Sequence, residues 1–224
     1  MRVSVIIPAY NEEAALPLVI REIPRTRVHE IIVADNGSTD RTFAIAQAER
    51  VKVVFEPRRG YGQACQAGLH ALSPETDVIV FLDADHSDYP SDLPLLLDPI
   101  ARGEADLVIG SRVLGEAAAG SLPPHQRFGN WLACRLIGLR FRQQFTDLGP
   151  LRAIRIEALK MLALQDRAFG WNVEMQMKAL KAKLRVKEVP VRYRARIGRS
   201  KISGTISGSL HAGIAILTMV ARHW

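Results

Sequence analysis

The feature that most constrains this chain is a regular alternation between short, β-branched apolar runs and segments with helical spacing. Val3-Ser4-Val5-Ile6-Ile7 opens the series; Glu30 to Ala34, Val51 to Phe55, Val78 to Leu82 and Leu107 to Ile109 continue it. Runs this short and this uniformly apolar are expected of strands buried on both faces. Between them, Glu12 to Glu22, Thr39 to Glu49 and Gly62 to Leu72 read as helices. The alternation predicts an α/β fold with a mostly parallel central sheet flanked by helices. A length of 224 residues suits one domain, 1–224, with a sizeable core. In such sheets ligands sit beyond the carboxyl ends of the strands, so the segments after each strand carry the functional information.

Those segments are rich in acids and turn formers. In order they are Pro8-Ala9-Tyr10-Asn11-Glu12, Asp35-Asn36-Gly37-Ser38-Thr39-Asp40, Asp83-Ala84-Asp85 and Ser111-Arg112. Asp35-Asn36-Gly37 is a good turn and Ser38 or Thr39 a good helix N-cap, so that loop alone has a purely structural explanation. Asp83 and Asp85 are harder to explain. Two carboxylates at the end of an apolar strand repel each other and are costly to desolvate unless something cationic joins them. A hard divalent cation with oxygen ligands, Mg2+ or Mn2+, would do so and keep positions open for diphosphate oxygens. The alternative is a pair of solvated loop acids.

The rest of the chain is read more coarsely. Gly115 to Pro124 is a candidate mobile loop, and Arg127 to Leu139 a helix with Trp131, Leu132 and Leu136 on one side. Ile206 to Val220 is apolar but shorter than the roughly 20 residues that span a bilayer, so a core-packed or interfacial helix is expected. The formal charge of +7 and pI near 9.8 suit an anionic partner. Basic residues crowd the stretch from Lys178 to Lys201 against one acid, Glu188. Cys65 and Cys134 form no repeated pattern, which points to a reducing compartment and away from a disulfide framework or zinc site. No signal-peptide pattern opens the chain, so a cytoplasmic location is expected.

Taken together, Val-Ile-Ile-Pro-Ala-Tyr-Asn-Glu, Asp-Asn-Gly-Ser-Thr-Asp and Asp-Ala-Asp resemble the family 2 inverting glycosyltransferases with the GT-A nucleotide-sugar-binding fold. Asp147-Leu148-Gly149-Pro150-Leu151-Arg152, Glu188-Val189-Pro190-Val191, and then Arg196, Gly198, Ser200 and Lys201 resemble the dolichol- and polyprenyl-phosphate sugar transferases, mannosyltransferases among them. The resemblance implies a nucleotide-binding half, 1–112, and an acceptor-side half, 113–224. It implies that Pro8, Ala9, Tyr10 and Glu12 lie against the nucleoside, with Tyr10 on the base, and that Asp35 binds base or ribose. Asp83 and Ala84 would adjoin ribose and diphosphate, Asp85 with Asp83 would hold the metal, and Arg112, Arg196 and Lys201 would neutralise phosphates. Ser87 and Asp88 stand where the mannosyltransferases carry Gln and its neighbour, and the spacing from Arg196 to Lys201 is one residue shorter.

The expected activity is transfer of a hexose from a nucleotide-sugar to a polyprenyl-phosphate or other phosphorylated acceptor, with peripheral contact at the inner membrane face. A phosphomonoester is largely dianionic at neutral pH and needs little help from a base. A hydroxyl acceptor on a soluble small molecule or glycan is the alternative, and Glu174 would then be the base; otherwise it is an acid favoured in a helix's first turn. Catalytic expectations thus fall on Asp85, Glu174 and Lys201. Gly60-Tyr61-Gly62 lacks the full dinucleotide fingerprint, which argues against a Rossmann oxidoreductase. Carboxylates facing a polyanion argue against nucleic acid as partner.

Overall fold

The computed structural model describes residues 1–198 and 218–220. Its seven strands are β1 (Val3–Ala9), β2 (Glu30–Asp35), β3 (Lys52–Phe55), β4 (Val78–Phe81), β5 (Leu107–Ser111), β6 (Arg152–Arg155) and β7 (Val186–Pro190). They form one sheet in the order β3-β2-β1-β4-β6-β5-β7. All neighbours are parallel except β6, which runs antiparallel to both β4 and β5. The helices are α1 (Leu16–Glu22), α2 (Thr42–Ala48), α3 (Tyr61–His70), α4 (Leu93–Ala101), α5 (Pro124–Phe141), α6 (Ile156–Leu162) and α7 (Trp171–Lys181).

The pleat of each central strand feeds two cores, as uniform apolarity requires. Val5 and Ile7 of β1, with Val78 and Val80 of β4, pack beneath Leu16 and Ile20 of α1 and Leu96 and Leu97 of α4. Ile6, Ile79 and Phe81 point the other way, toward Cys65 of α3, Ile137 of α5 and Trp171 and Met175 of α7. At Gly68, a Cβ would come within 2.5 Å of Ile6 Cγ2, so only glycine allows α3 this close to β1. Cys65 and Cys134 are buried free thiols in the second core.

Three expectations are revised. The segment 12–15 is a turn rather than the start of α1: the Glu12 carbonyl accepts the N–H groups of Ala15 (3.1 Å) and Leu16 (2.9 Å) before the helix begins. In α5 the buried side carries Ala133, Cys134 and Ile137 with Leu136 packed beside them, while Trp131 is 55% exposed, so Trp131 and Leu136 do not share one side. The Gly115–Pro124 segment is anchored at its start, where Tyr193 N–H bonds Glu116 O (2.9 Å) and Ala118 N–H bonds Tyr193 O (2.8 Å). The expected tail helix lies outside the described residues apart from 218–220.

The sheet grows outward from β1 to β3 and then returns to place β4 on the opposite side of β1. That reversal parts the loops leaving β1 and β4 and opens a crevice at their carboxyl ends.

Candidate active site

The loops after β1 and β2 are tied together. Ala9 pairs with Asp35, and Asn36 N–H bonds Ala9 O at 2.8 Å. Asn11, in a left-handed conformation (φ 53°), donates its N–H to Ser38 Oγ and accepts from Thr39 N–H. The Asn36 amide reaches the carbonyls of Glu56 (3.0 Å) and Arg58 (2.7 Å) and accepts from Gly60 N–H (2.9 Å), fixing the loop after β3. There the Arg59 guanidinium lies 3.4 Å above the centre of the Tyr10 ring, a cation–π contact. Asp35 is fully buried; one oxygen accepts from Ser38 N–H (3.3 Å) and Oδ1 has no partner among the described residues.

Asp83 and Asp85 leave β4 into the crevice, with Ala84 buried between them. Tyr61 donates its hydroxyl to Asp83 Oδ1 at 3.2 Å. Burial, and then the charge of Asp85, push the Asp83 carboxyl up to about 7. Asp85 Oδ1 accepts both the N–H (2.9 Å) and the hydroxyl (2.5 Å) of Ser87, and Oδ2 lies 3.1 Å from Arg196. The same guanidinium lies 3.4 Å from Glu12 Oε1, so Arg196 joins the loops of β1 and β4. It reaches them because the segment after β7 runs beside residues 85–88, with Arg194 N–H on Ser87 O and Ile197 N–H on Asp85 O, both 2.9 Å. Asp88 lies beneath this cluster, 1% exposed, and neither carboxylate oxygen has a partner among the described residues. Burial, with Asp83 and Asp85 adding to it, raises its carboxyl well above the usual range.

A second polar centre adjoins the first. Asp147, completely buried, accepts from Arg112 at three points: N–H and Nε at 2.8 Å and Nη2 at 2.7 Å. Burial opposes the Arg112 charge, but Asp147 outweighs it and raises the guanidinium above its ordinary value. Glu188 of β7 holds the turn that presents Asp147, accepting the N–H groups of Thr146 (3.0 Å) and Asp147 (3.0 Å). Arg152 of β6 has no exposed surface and makes no ion pair among the described residues. It donates to the carbonyls of Gly149, Leu148 and Asn172, and burial lowers it to about 10. From Arg112 and Asp147 a cavity of about 760 Å3 extends between the 113–122 loop and α5, past Asn130, Trp131 and Cys134.

Residues 4–162 match the family described as glycosyl transferase family 2. The chain belongs to that family. An uncharacterised glycosyltransferase of Mycobacterium tuberculosis is 39% identical over 96% of the chain and 94% of its own length. The undecaprenyl-phosphate mannosyltransferase of Micrococcus luteus is 31% identical over 99% and 96%, and the polyprenol monophosphomannose synthase of Mycolicibacterium smegmatis 31% over 91% and 82%. Among solved structures, glucosyl-3-phosphoglycerate synthase of M. tuberculosis, in complex with Mn2+, UDP-glucose and phosphoglyceric acid, superposes with TM-score 0.75 at 25% identity, covering 98% of this chain and 80% of that one. The sheet and its flanking helices are thus those of a GT-A glycosyltransferase, and the chain is a glycosyltransferase.

Within this family 2 frame, the residues expected at the site fall into two groups. Pro8, Ala9, Tyr10, Glu12, Asp35, Asp83, Ala84, Asp85, Arg112 and Arg196 all lie on the loops or strand ends that border the crevice. Glu174 is different. It lies in the first turn of α7, 2% exposed, and its oxygens accept from the N–H groups of Gln165 (3.0 Å) and Asp166 (2.7 Å) and meet Lys178 at 2.7 Å. Burial disfavours that charge, but Lys178 and the two amides prevail and hold its carboxyl below the usual range. A base needs a free lone pair, whereas this carboxylate fastens the 165–168 loop against Gly60 and Gly62, where a Cβ would meet backbone oxygens at 2.1 and 2.3 Å. Lys201 and Ser200 lie outside the described residues.

The crowd of bases after Lys178 also has an internal explanation. Arg185 pairs with Asp106, Lys187 with Glu104, Arg192 with Asp92 and Arg194 with Glu22, in addition to the Lys178 and Arg196 contacts. His86 is half-buried and 2.8 Å from Glu22. Tyr61 and the Arg112–Asp147 pairing carry no local sequence signal, and Asp88 is marked only by Ser87-Asp88 standing where the mannosyltransferases carry Gln and its neighbour.

Proposed function

We propose that this family 2 enzyme is an inverting, metal-dependent hexosyltransferase. It carries a hexose from a nucleotide-sugar to a polyprenyl-phosphate-type acceptor at the inner face of the membrane. The observation that carries the reading is the juxtaposition of a buried, cation-seeking acidic cluster (Asp83, Asp85 and Asp88) with a cavity whose inner wall bears the fixed guanidinium of Arg112. One end suits an activated diphosphate with its cation; the other suits an anionic acceptor.

The residues fit a divalent ion. Asp83 is poised near 7 by burial and by Asp85, and Asp88 leaves two buried oxygens without partners among the described residues. Asp83 and Asp85 would hold the ion. Among the described residues no three His, Cys, Asp or Glu side chains converge into a complete cage, so phosphate oxygens and water would fill the remaining positions, as a hard cation at a diphosphate requires. Bound there, it would stabilise charge on the leaving diphosphate.

The chain's own groups do the rest. Tyr10 offers a ring face to the nucleobase, with Arg59 displaced from it or stacked beyond the base. Asp35 Oδ1 and Glu12 are acceptors for nucleoside N–H or hydroxyl groups. Arg196 adds charge beside Asp85. Arg112, held as a planar fork by Asp147, presents fixed donors to phosphate. A dianionic acceptor phosphate attacks the anomeric carbon in line and needs no base, which agrees with the commitment of the Glu174 carboxylate to the 165–166 amides. Lys201 is proposed as a further phosphate contact.

The second reading, a soluble acceptor, is favoured by the glucosyl-3-phosphoglycerate synthase complex. A donor screen following nucleoside diphosphate release with Mn2+ or Mg2+, with and without a short polyprenyl phosphate, separates the two. Release stimulated by the polyprenyl phosphate and abolished by EDTA is expected. Stimulation only by soluble phosphorylated or hydroxylic acceptors would overturn the lipid reading, and full turnover in EDTA or by Asp85→Asn would overturn the metal.

A further inference from the structure

We infer that the outward face of α5 is a docking surface for an anionic lipid bilayer, and that it sets the mouth of the 760 Å3 cavity against that bilayer. The assignment deepens the lipid-phosphate reading and rests on it for its purpose.

Three observations on the helix agree. The first is that its faces are inverted. Small and aliphatic residues, Ala133, Cys134 and Ile137, fill the buried side, while Phe128 (62% exposed), Trp131 (55%) and Leu139 (69%) stand on the outside. Positions 128, 131, 135 and 139 follow steps of three and four, so they form one stripe along the helix. The Phe128 and Trp131 rings lie 5.9 Å apart, which joins them into one apolar surface. Val113 and Leu114, 57% and 51% exposed, extend exposed apolar surface into the loop on the other side of the cavity.

The second observation is charge. Pro124 to Phe141 contains no acidic residue, and Arg127, Arg135 and Arg142 make no ion pair among the described residues. The contrast with the basic segment after Lys178 is informative, because there the bases meet acids from other elements. Part of the cationic surface that makes no ion pair among the described residues therefore sits beside exposed aromatics. Arginine heads with aromatic and aliphatic side chains on one helical stripe match the headgroup–acyl boundary of an anionic bilayer, where Trp and Phe enter the interface and each nearby base contributes about 1 kcal/mol.

The third is placement. Phe128, Trp131 and Arg135 border the cavity that ends at Arg112 and Asp147. A helix lying on the membrane by this face would open that cavity toward lipid, so a lipid-linked phosphate could reach Arg112 without leaving the bilayer. No helix among the described residues is long and apolar enough to cross a membrane.

The test is co-sedimentation of the full chain with vesicles of pure phosphatidylcholine and with vesicles containing phosphatidylglycerol, at low and high salt. Binding only to the anionic vesicles, weakened by salt, is expected. Phe128→Glu with Leu139→Glu should reduce that binding at least about tenfold, since each change removes apolar insertion and adds repulsion. Both sites are exposed, and an unchanged melting temperature and circular dichroism would verify folding. Equal binding by the variant, equal binding to neutral vesicles, or retention on a soluble polyanion with no vesicle binding would each overturn the inference. Anionic vesicle binding without transfer to polyprenyl phosphate would leave the docking face standing and remove the acceptor reading. Transfer to a short soluble polyprenyl phosphate without vesicle binding would do the reverse.

Discussion

Replacing Asp147 by Asn tests whether Arg112 is a fixed phosphate fork. Asp147 is completely buried and accepts three charge-assisted bonds from Arg112, whose side chain is only 15% exposed. Asn has the same shape but one acceptor oxygen. It can keep the bonds from Arg112 N–H and Nε while setting an amide NH2 against Nη2. Removing one partner of a buried pair costs about 3–5 kcal/mol, and the retained oxygen places this change near the lower end. At about 3 kcal/mol, and about 2–4 °C per kcal/mol for a domain of this size, the melting temperature should fall by about 6–12 °C. If the fork serves a phosphate, kcat/KM should also fall roughly 10–100-fold, the equivalent of one charge-assisted hydrogen bond of about 1.5–3 kcal/mol. Thermal unfolding monitored by circular dichroism and initial-rate transfer assays measure the two effects separately. A melting temperature within about 2 °C of wild type would show that the pair contributes little. A large thermal loss with unaltered kcat/KM below the unfolding range would make Asp147 a structural residue and remove Arg112 from the phosphate site.

Three further substitutions probe the rest of the crevice. The Asp83 carboxyl is raised to about 7 in the folded protein from an unfolded value near 4, so in EDTA the native state keeps a proton that the unfolded chain releases, and stability falls as pH rises between those values. Asp83→Asn should flatten the dependence of melting temperature on pH in that window and abolish metal-dependent turnover; an unchanged slope would argue against the perturbed aspartate. Gly62→Ala puts a methyl about 2.3 Å from the Asp166 carbonyl, so despite a better helix former it should destabilise by about 1–3 kcal/mol, and an equal or higher melting temperature would refute the close approach. Glu174→Gln places an NH2 group against the Gln165 and Asp166 amides, costing about 1–3 kcal/mol of stability, while kcat should fall far less than the roughly 10²–10⁴-fold expected of a lost general base. A fall of that size with the fold intact would restore Glu174 as a base.

Strands β1 to β5 are legible because their signal is local. Val-Ile-Val-Phe in β4 is buried throughout, and nothing but a doubly covered strand demands that. β6 and β7 are not legible, for the opposite reason. Arg152-Ala-Ile-Arg155 begins on an arginine whose burial depends on carbonyls of Leu148, Gly149 and Asn172, and Val186-Lys-Glu-Val-Pro190 lies at the sheet edge with two of its five residues charged. The site divides in the same way. Asp83 and Asp85 are neighbours in sequence, so their mutual repulsion could be read directly. Arg196 meets Glu12 across 184 residues and Arg112 meets Asp147 across 35, and no local pattern encodes either meeting. In the crowded stretch after Lys178, Arg185, Lys187, Arg192 and Arg194 likewise meet acids remote in sequence: Asp106, Glu104, Asp92 and Glu22.

What unifies the crevice is an imbalance of charge arranged in depth. Glu12, Asp83, Asp85 and Asp88 lie near where β1 and β4 part, and among the described residues Arg196 touches both Glu12 and Asp85. Its Nε is itself buried without a partner among the described residues, so this guanidinium is neither fully satisfied nor able to satisfy the cluster. Asp88 and Asp83 respond by holding protons that carboxyls in water would lose. A protein that needed only stability would replace such groups with apolar ones of similar size, which is often neutral or stabilising. Retaining Asp83 and Asp88, which make no ion pair among the described residues, agrees with the proposed divalent ion. Under the proposed metal-dependent transfer, the raised carboxyls of Asp83 and Asp88 would be the counterpart of affinity for a metal-bound diphosphate, and Arg196 would lie beside Asp85 until that charge arrives.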